Sequence, residues 1–209
     1  MRGSPWQGRS FPLSGVAMQG ARLTASNIAC QRGDRLLFQN VDFALEGGAA
    51  LQLTGANGTG KSSLIRILAG LLPAFAGTVN RQCAAALLDE RPALDPHLPL
   101  GRALAFWQKL DGPEDNQAMR LGLGDLLDVP VRYLSTGQKK RAALARLIGQ
   151  RAPLWLLDEP LNGLDSRGVA LVEALAAEHC RGGGICVIAS HQPFTLAGIA
   201  RLDLRDFAA

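Results

Sequence analysis

Residues Gly55-Ala56-Asn57-Gly58-Thr59-Gly60-Lys61-Ser62 satisfy the pattern G-x-x-x-x-G-K-[ST] at every fixed position. That spacing works only where a buried strand delivers the chain into a glycine-rich turn and a helix leaves it, so it dictates an α/β layout. The glycines let the backbone curl until successive N–H groups point inward at an anion, and the helix that follows adds its positive N-terminus. A lysine at the seventh position reaches the β and γ oxygens of a nucleotide, and a hydroxyl at the eighth suits Mg2+. The run from Gly55 to Ser62, with Ser63 behind it, is therefore the candidate nucleotide site, Lys61 its cation and Ser62 a metal ligand.

The flanking pattern agrees with this layout. Polar and apolar residues alternate over 22–29 and 36–45, which predicts two antiparallel strands, and Glu46-Gly47-Gly48 reads as the turn that follows. Residues 49–54 read as a buried strand and 61–72 as a helix ended near Pro73. A stretch broken by Pro96, Pro99, Gly112 and Pro113 is helical around 101–110 and 114–127, giving a small helical subdomain at about 92–133. Beyond it a helix (134–150), a strand (154–157), a helix (169–177) and a strand (185–190) alternate, the order of a parallel α/β core. Residues 1–17, rich in Gly, Pro, Ser and Arg, are expected to form a disordered extension, leaving 18–209 as one folded domain.

Composition excludes several classes. No apolar run reaches the roughly 18 to 20 residues that a spanning helix needs. Net charge is +4, but the arginines that dominate the 22 basic residues are scattered rather than gathered into a stripe, so no nucleic-acid partner is expected. Cys30, Cys83, Cys180 and Cys186 lack C-x-x-C pairing and are expected as free, mostly buried thiols. His97 and His179 fit no motif and are expected at the surface.

A second set of residues narrows the chemistry. Leu154-Trp155-Leu156-Leu157-Asp158-Glu159 is an apolar strand ending in two acids, and beside a phosphate loop the first can hold Mg2+ while the second polarises an attacking water. Leu134-Ser135-Thr136-Gly137-Gln138 opens a helix, turning a hydroxyl and backbone N–H groups toward an anion. Asn162-Gly163-Leu164-Asp165 and His191 complete the series. In this order, over about residues 20–205, the chain resembles the ATP-binding cassette (ABC) ATPases, with Ser135 to Gln138 in the family's signature motif. The resemblance implies a P-loop NTPase fold with an antiparallel β layer and a helical subdomain. It also implies a head-to-tail homodimer holding ATP and Mg2+ between its subunits. On the matching positions Glu159 would be the general base, His191 would meet the γ-phosphate, and Ser135, Gly137 and Gln138 would complete the partner's site.

Finer details are similar to the ATP-binding subunit of the haem-exporter-type transporter of cytochrome c maturation. They are the Cys30-Gln31-Arg32-Gly33-Asp34-Arg35-Leu36-Leu37-Phe38 opening, the LSTGQKKRAALARL block, Leu154-Trp155, and the Ser190-His191-Gln192-Pro193 ending. This likeness implies an ATPase held peripherally at the cytoplasmic face of the bacterial inner membrane, with a membrane-spanning permease and a haem-handling membrane protein. Another small-substrate ABC exporter, or a non-transport ABC ATPase, would share the catalytic residues, and both readings stay open here. Two positions depart from the family pattern. Arg32 stands where an adenine-stacking aromatic is usual, so the purine either rests on a guanidinium plane or receives little help there. Arg91 stands where a metal-contacting glutamine is usual, and since arginine has no acceptor its neighbour Glu90 becomes the candidate ligand.

Overall fold

The computed structural model describes residues 20–111 and 117–208; the expected extension at 1–17 and the start of the helix expected at 114–127 lie outside them. Strands β1 (Arg22–Arg32) and β2 (Arg35–Glu46) form an antiparallel hairpin around Gly33-Asp34. Their alternation turns Leu23, Ala25, Ile28, Cys30, Phe38, Val41 and Leu45 into the core. A third strand, β4 (Ala76–Arg81), pairs with the other edge of β1. It was not expected, because its residues are almost all exposed and carry no alternation.

The second sheet has five parallel strands in the order β5-β6-β7-β3-β8, where β3 is Ala50–Thr54, β5 Ala85–Leu88, β6 Leu154–Asp158, β7 Ile185–Ala189 and β8 Ala200–Asp203. Every residue of β6 and β7 is buried, which is why these strands read as unbroken apolar runs. On one face, Leu51, Leu53, Leu156 and Val187 pack with Leu64, Ile65 and Leu68 of helix α1 (Lys61–Ala69) and with the antiparallel sheet. On the other, Trp155, Leu157 and Ile188 pack with α4 (Thr136–Gly149) and α5 (Ser166–Arg181). The fold is thus the expected α/β cassette. Its strands all end at one edge, where ligands of such sheets bind.

Helices α2 (Leu100–Asp111) and α3 (Gln117–Arg120) belong to the second core through Leu100, Ala103, Leu104 and Ala118. A bridge between Pro99 and Pro130 clasps the ends of this helical segment together. Arg120 of α3 is ion-paired with Glu178 of α5, and the Arg146 guanidinium of α4 lies 3.7 Å from the centroid of Trp107 in α2. Helix α5 starts earlier than its apolar pattern suggests because Asp165 caps it, accepting from the Gly168 N–H at 2.8 Å.

All four cysteines carry free thiols, and Cys30, Cys180 and Cys186 are buried. His97 is exposed as expected, whereas His179 is fully buried and the surface expectation for it fails. Its ring stacks on Trp155 with centroids 4.0 Å apart and planes 11° off parallel, and its Nε2 donates to the Pro153 carbonyl at 3.1 Å. A Cβ at Gly184 would lie 2.2 Å from that nitrogen, so the ring fits only because residue 184 has no side chain. Burial pushes the His179 pKa down to about 4. The folded state therefore keeps it neutral while the unfolded chain protonates it below about 6.5. Its stabilising share is complete above that pH and is lost as pH falls toward 4. Urea unfolding should accordingly lose about 2 kcal/mol of stability through this residue between pH 7.5 and 5. A His179→Gln protein, compared over the same range, should lack that part of the slope.

Candidate nucleotide site

The glycine loop leaves β3 at Thr54 and closes on itself before α1 begins. Gly60 has φ 104°, and a Cβ there would stand 2.7 Å from the Phe38 ring, so both backbone and space require glycine. Phe38 of β2 thereby seats the antiparallel hairpin against the loop. Lys61 is only 6% exposed, and its Nζ donates to the carbonyls of Gly55 at 2.9 Å and Ala56 at 3.2 Å. The Thr59 hydroxyl donates to Ala56 as well, at 2.9 Å, leaving Ala56, Asn57 and Gly58 exposed at the crest. Ser63, one residue beyond the motif, lies against the Cys30 thiol of β1.

Two contacts join this loop to the end of β6, and a third joins the ends of β6 and β7. The Ser62 hydroxyl donates to Asp158 Oδ1 at 2.9 Å. Burial pushes the Asp158 carboxyl above the usual carboxylate range, and the Ser62 hydrogen bond opposes that rise. Glu159 Oε2 accepts from His191 Nδ1 at 2.9 Å, and Glu159 Oε1 lies 4.0 Å from Lys61 Nζ. A carboxylate can only accept, so Nδ1 carries the imidazole proton in this pair. Base and orienting partner within hydrogen-bond reach is the arrangement a general base needs.

Glu159 reaches this position through an unusual backbone, with φ 46° in the left-handed region. Its N–H donates to the Ala189 carbonyl of β7 at 2.8 Å, and its own carbonyl accepts from Lys140 Nζ of α4 at 3.1 Å. His191 is held by the next turn, where the Gln192 N–H donates to the buried Ser190 hydroxyl at 3.0 Å. Gln52, buried within β3, donates from Nε2 to the Gln192 carbonyl at 2.8 Å and anchors that turn to the central strand.

The signature residues form a separate group. Ser135 caps α4 in a reciprocal box: its hydroxyl accepts from the Gln138 N–H at 3.2 Å while its own N–H donates to Gln138 Oε1 at 2.8 Å. Thr136 and Gly137 pack on Gly163, whose φ of 76° and whose missing Cβ, 2.8 Å from Thr136 Cγ2, again call for glycine. Among the described residues no hydrogen bond joins Ser135, Gly137 or Gln138 to the glycine loop. Arg32 is exposed at the end of β1. Glu90 is exposed too, and its charge acts on Lys140; of the two acids after β5 the one whose charge reaches Asp158 is Asp89, which follows Leu88 as Asp158 follows its partner Leu157.

A glycine loop, two strand-end acids, a histidine and a capped signature helix around one parallel sheet define an ATP-binding cassette. The ABC transporter family profile matches residues 38–162, and the chain belongs to this ATP-binding family. The chain is similar to the cytochrome c biogenesis ATP-binding export protein CcmA of Novosphingobium aromaticivorans, with 57% identity covering 91% of this chain and 99% of that one. It is also similar to the CcmA of Zymomonas mobilis, with 47% identity covering 90% and 87%. Among solved structures, cbiO1 of Clostridium perfringens, part of the ABC transporter complex cbiONQ, shares the fold at TM-score 0.69, with 23% identity over 83% of this chain and 80% of that one.

Lys140, Gln52 and Asp89 carry roles at this edge that motif reading does not find. Lys140 had a usable signal: with Leu144, Leu147 and Ile148 it lies at i, i+4, i+7 and i+8 on the buried face of α4. The capping box also has a measurable worth. Ser135→Ala should lower unfolding stability by about 1 kcal/mol, read from urea titration at neutral pH.

Proposed function

We propose that this chain is the ATP-hydrolysing subunit of a transporter complex that serves cytochrome c biogenesis through haem export or delivery. The observation that carries the reading is its 57% identity, over 91% of its length, to a protein named for cytochrome c biogenesis export. The catalytic half of the reading rests on the geometry at the strand ends.

With ATP in the loop, Lys61 exchanges the Gly55 and Ala56 carbonyls for phosphate oxygens, and Glu159 takes a proton from the attacking water. His191 orients that base through its 2.9 Å contact and stands where it can meet the γ-phosphate. Catalysis of this kind is mainly positioning and electrostatics. The Ser62 hydroxyl and the Asp158 carboxylate, hard oxygen donors 2.9 Å apart at a buried site, suit Mg2+. When bound, Mg2+ supplies charge neutralisation at the β and γ oxygens. Arg32 offers its guanidinium plane to the purine.

Ser135, Gly137 and Gln138 are free of this chain's own loop, which favours their serving the ATP of a second copy in a head-to-tail homodimer. No helix among the described residues is long and apolar enough to cross a membrane. In this reading a membrane-spanning permease and a haem-handling membrane protein hold the ATPase at the cytoplasmic face of the bacterial inner membrane.

Glu159→Gln should keep ATP affinity within about threefold and lose about 10² to 10⁴ in kcat, since only the base is removed. Steady-state hydrolysis with a separate binding titration checks this. In the source cell, Lys61→Ala should abolish the covalent-haem stain of c-type cytochromes while immunoblots still show the apocytochromes. Normal staining would reassign the ATPase to a different exporter or to a non-transport role.

A further inference from the structure

Lys140 sits on the buried face of α4, where an ammonium is costly unless it is satisfied. Its direct partner is the main-chain carbonyl of Glu159, at 3.1 Å. The carboxylates around it are Glu90 and Asp89 from the end of β5 and Asp158 and Glu159 from the end of β6. Burial holds its pKa below the ordinary lysine value and these acids offset only part of that fall, but a lysine nitrogen carries N–H donors in either state and the hydrogen bond to the carbonyl does not depend on the charge.

Glu159 needs such a donor. A left-handed backbone is strained for a non-glycine residue and persists only where neighbours over-determine it. Here the N–H is fixed by Ala189 at 2.8 Å and the carbonyl by Lys140, with the Asn162 N–H a longer second donor at 3.4 Å. Lys61 and His191 engage the carboxylate and leave the backbone untouched.

We propose that Lys140 is a positioning residue for hydrolysis. Through its hydrogen bond to the Glu159 carbonyl it fixes the left-handed turn that aims the carboxylate between Lys61 and His191. It thereby ties the helix headed by Ser135 to the acid of the same chain. The proposal rests on Glu159 being the general base.

The test compares kcat and KM for ATP hydrolysis, and Kd for a fluorescent ATP analogue, in the full chain carrying Lys140→Met, Lys140→Arg, Lys140→Gln, Glu159→Gln, or Lys140→Met with Glu159→Gln. Lys140→Met should bind the analogue within about twofold of the parent and lose at least about tenfold in kcat, the scale expected of a misaimed base. Lys140→Arg and Lys140→Gln, which can still donate to a carbonyl, should recover most of that loss. The double variant should hydrolyse ATP within about threefold of Glu159→Gln, because residues acting through one group are not additive.

A kcat within twofold of the parent in Lys140→Met overturns the proposal. So does a loss of ATP affinity that matches the loss of kcat, or a double variant that falls by the product of the two single effects. Should Lys140→Met fail to fold by circular dichroism, Lys140→Ala takes its place under the same criteria, and a tenfold loss of kcat in Lys140→Gln with ATP affinity kept refutes the hydrogen-bond role. Parental turnover in Glu159→Gln is a separate result, visible without any Lys140 variant. It would remove the base assignment and this proposal with it.

Discussion

Covering both faces of a parallel sheet leaves its strands almost no place for polar side chains except their ends. In β6 the four residues before Asp158 are apolar and buried, and in β7 nothing polar intervenes before Ser190 and His191. Because all five strands run the same way, these ends and the glycine loop after β3 meet at one edge. Gln52 is the polar residue inside β3, and its side chain is committed to Gln192, one residue past the histidine. Packing and chemistry are thus set by the same arrangement.

Asp158 and Glu159 are adjacent acids with different surroundings. Asp158 completes the strand, stays buried, and has its negative charge opposed by desolvation. Glu159 follows a left-handed step that carries its carboxylate out of the strand direction to His191 and Lys61. One backbone angle therefore assigns one acid to the Ser62 hydroxyl and the other to the imidazole.

Much of this was legible in the chain itself. The strand, loop and helix around Gly55 to Ser62, the Asp158-Glu159 strand and the strand before His191 combine long apolar runs with fixed spacings, so local pattern and final place agree. Strands β5 and β8 were not legible because they have only four residues each, and β4 because it is a largely exposed sheet edge without apolar alternation. His179 lies in a polar-looking helix end, Glu178-His179-Cys180-Arg181, and its burial comes from Trp155 and from the bare backbone of Gly184. Periodicity puts Lys140 on the buried face of α4, but its partner, like the place of Asp89, emerges only when α4 and β5 are brought beside the end of β6. Contacts between distant segments leave no trace in local periodicity.

The reciprocal cap on α4 has a consequence for what the helix can still offer. An α-helix starts with main-chain donors that its own ladder cannot use, and here Ser135 and Gln138 consume one such N–H each. The groups left over are the N–H of Thr136, the N–H of Gly137 and the hydrogen of the Ser135 hydroxyl, which accepts from Gln138 while remaining able to donate. All three are uncharged, and they sit at the positive end of a fourteen-residue dipole. An oxyanion meeting this end is therefore read by shape and donor direction more than by net charge. Such recognition is short-ranged, and it weakens little with salt compared with a lysine or arginine clamp.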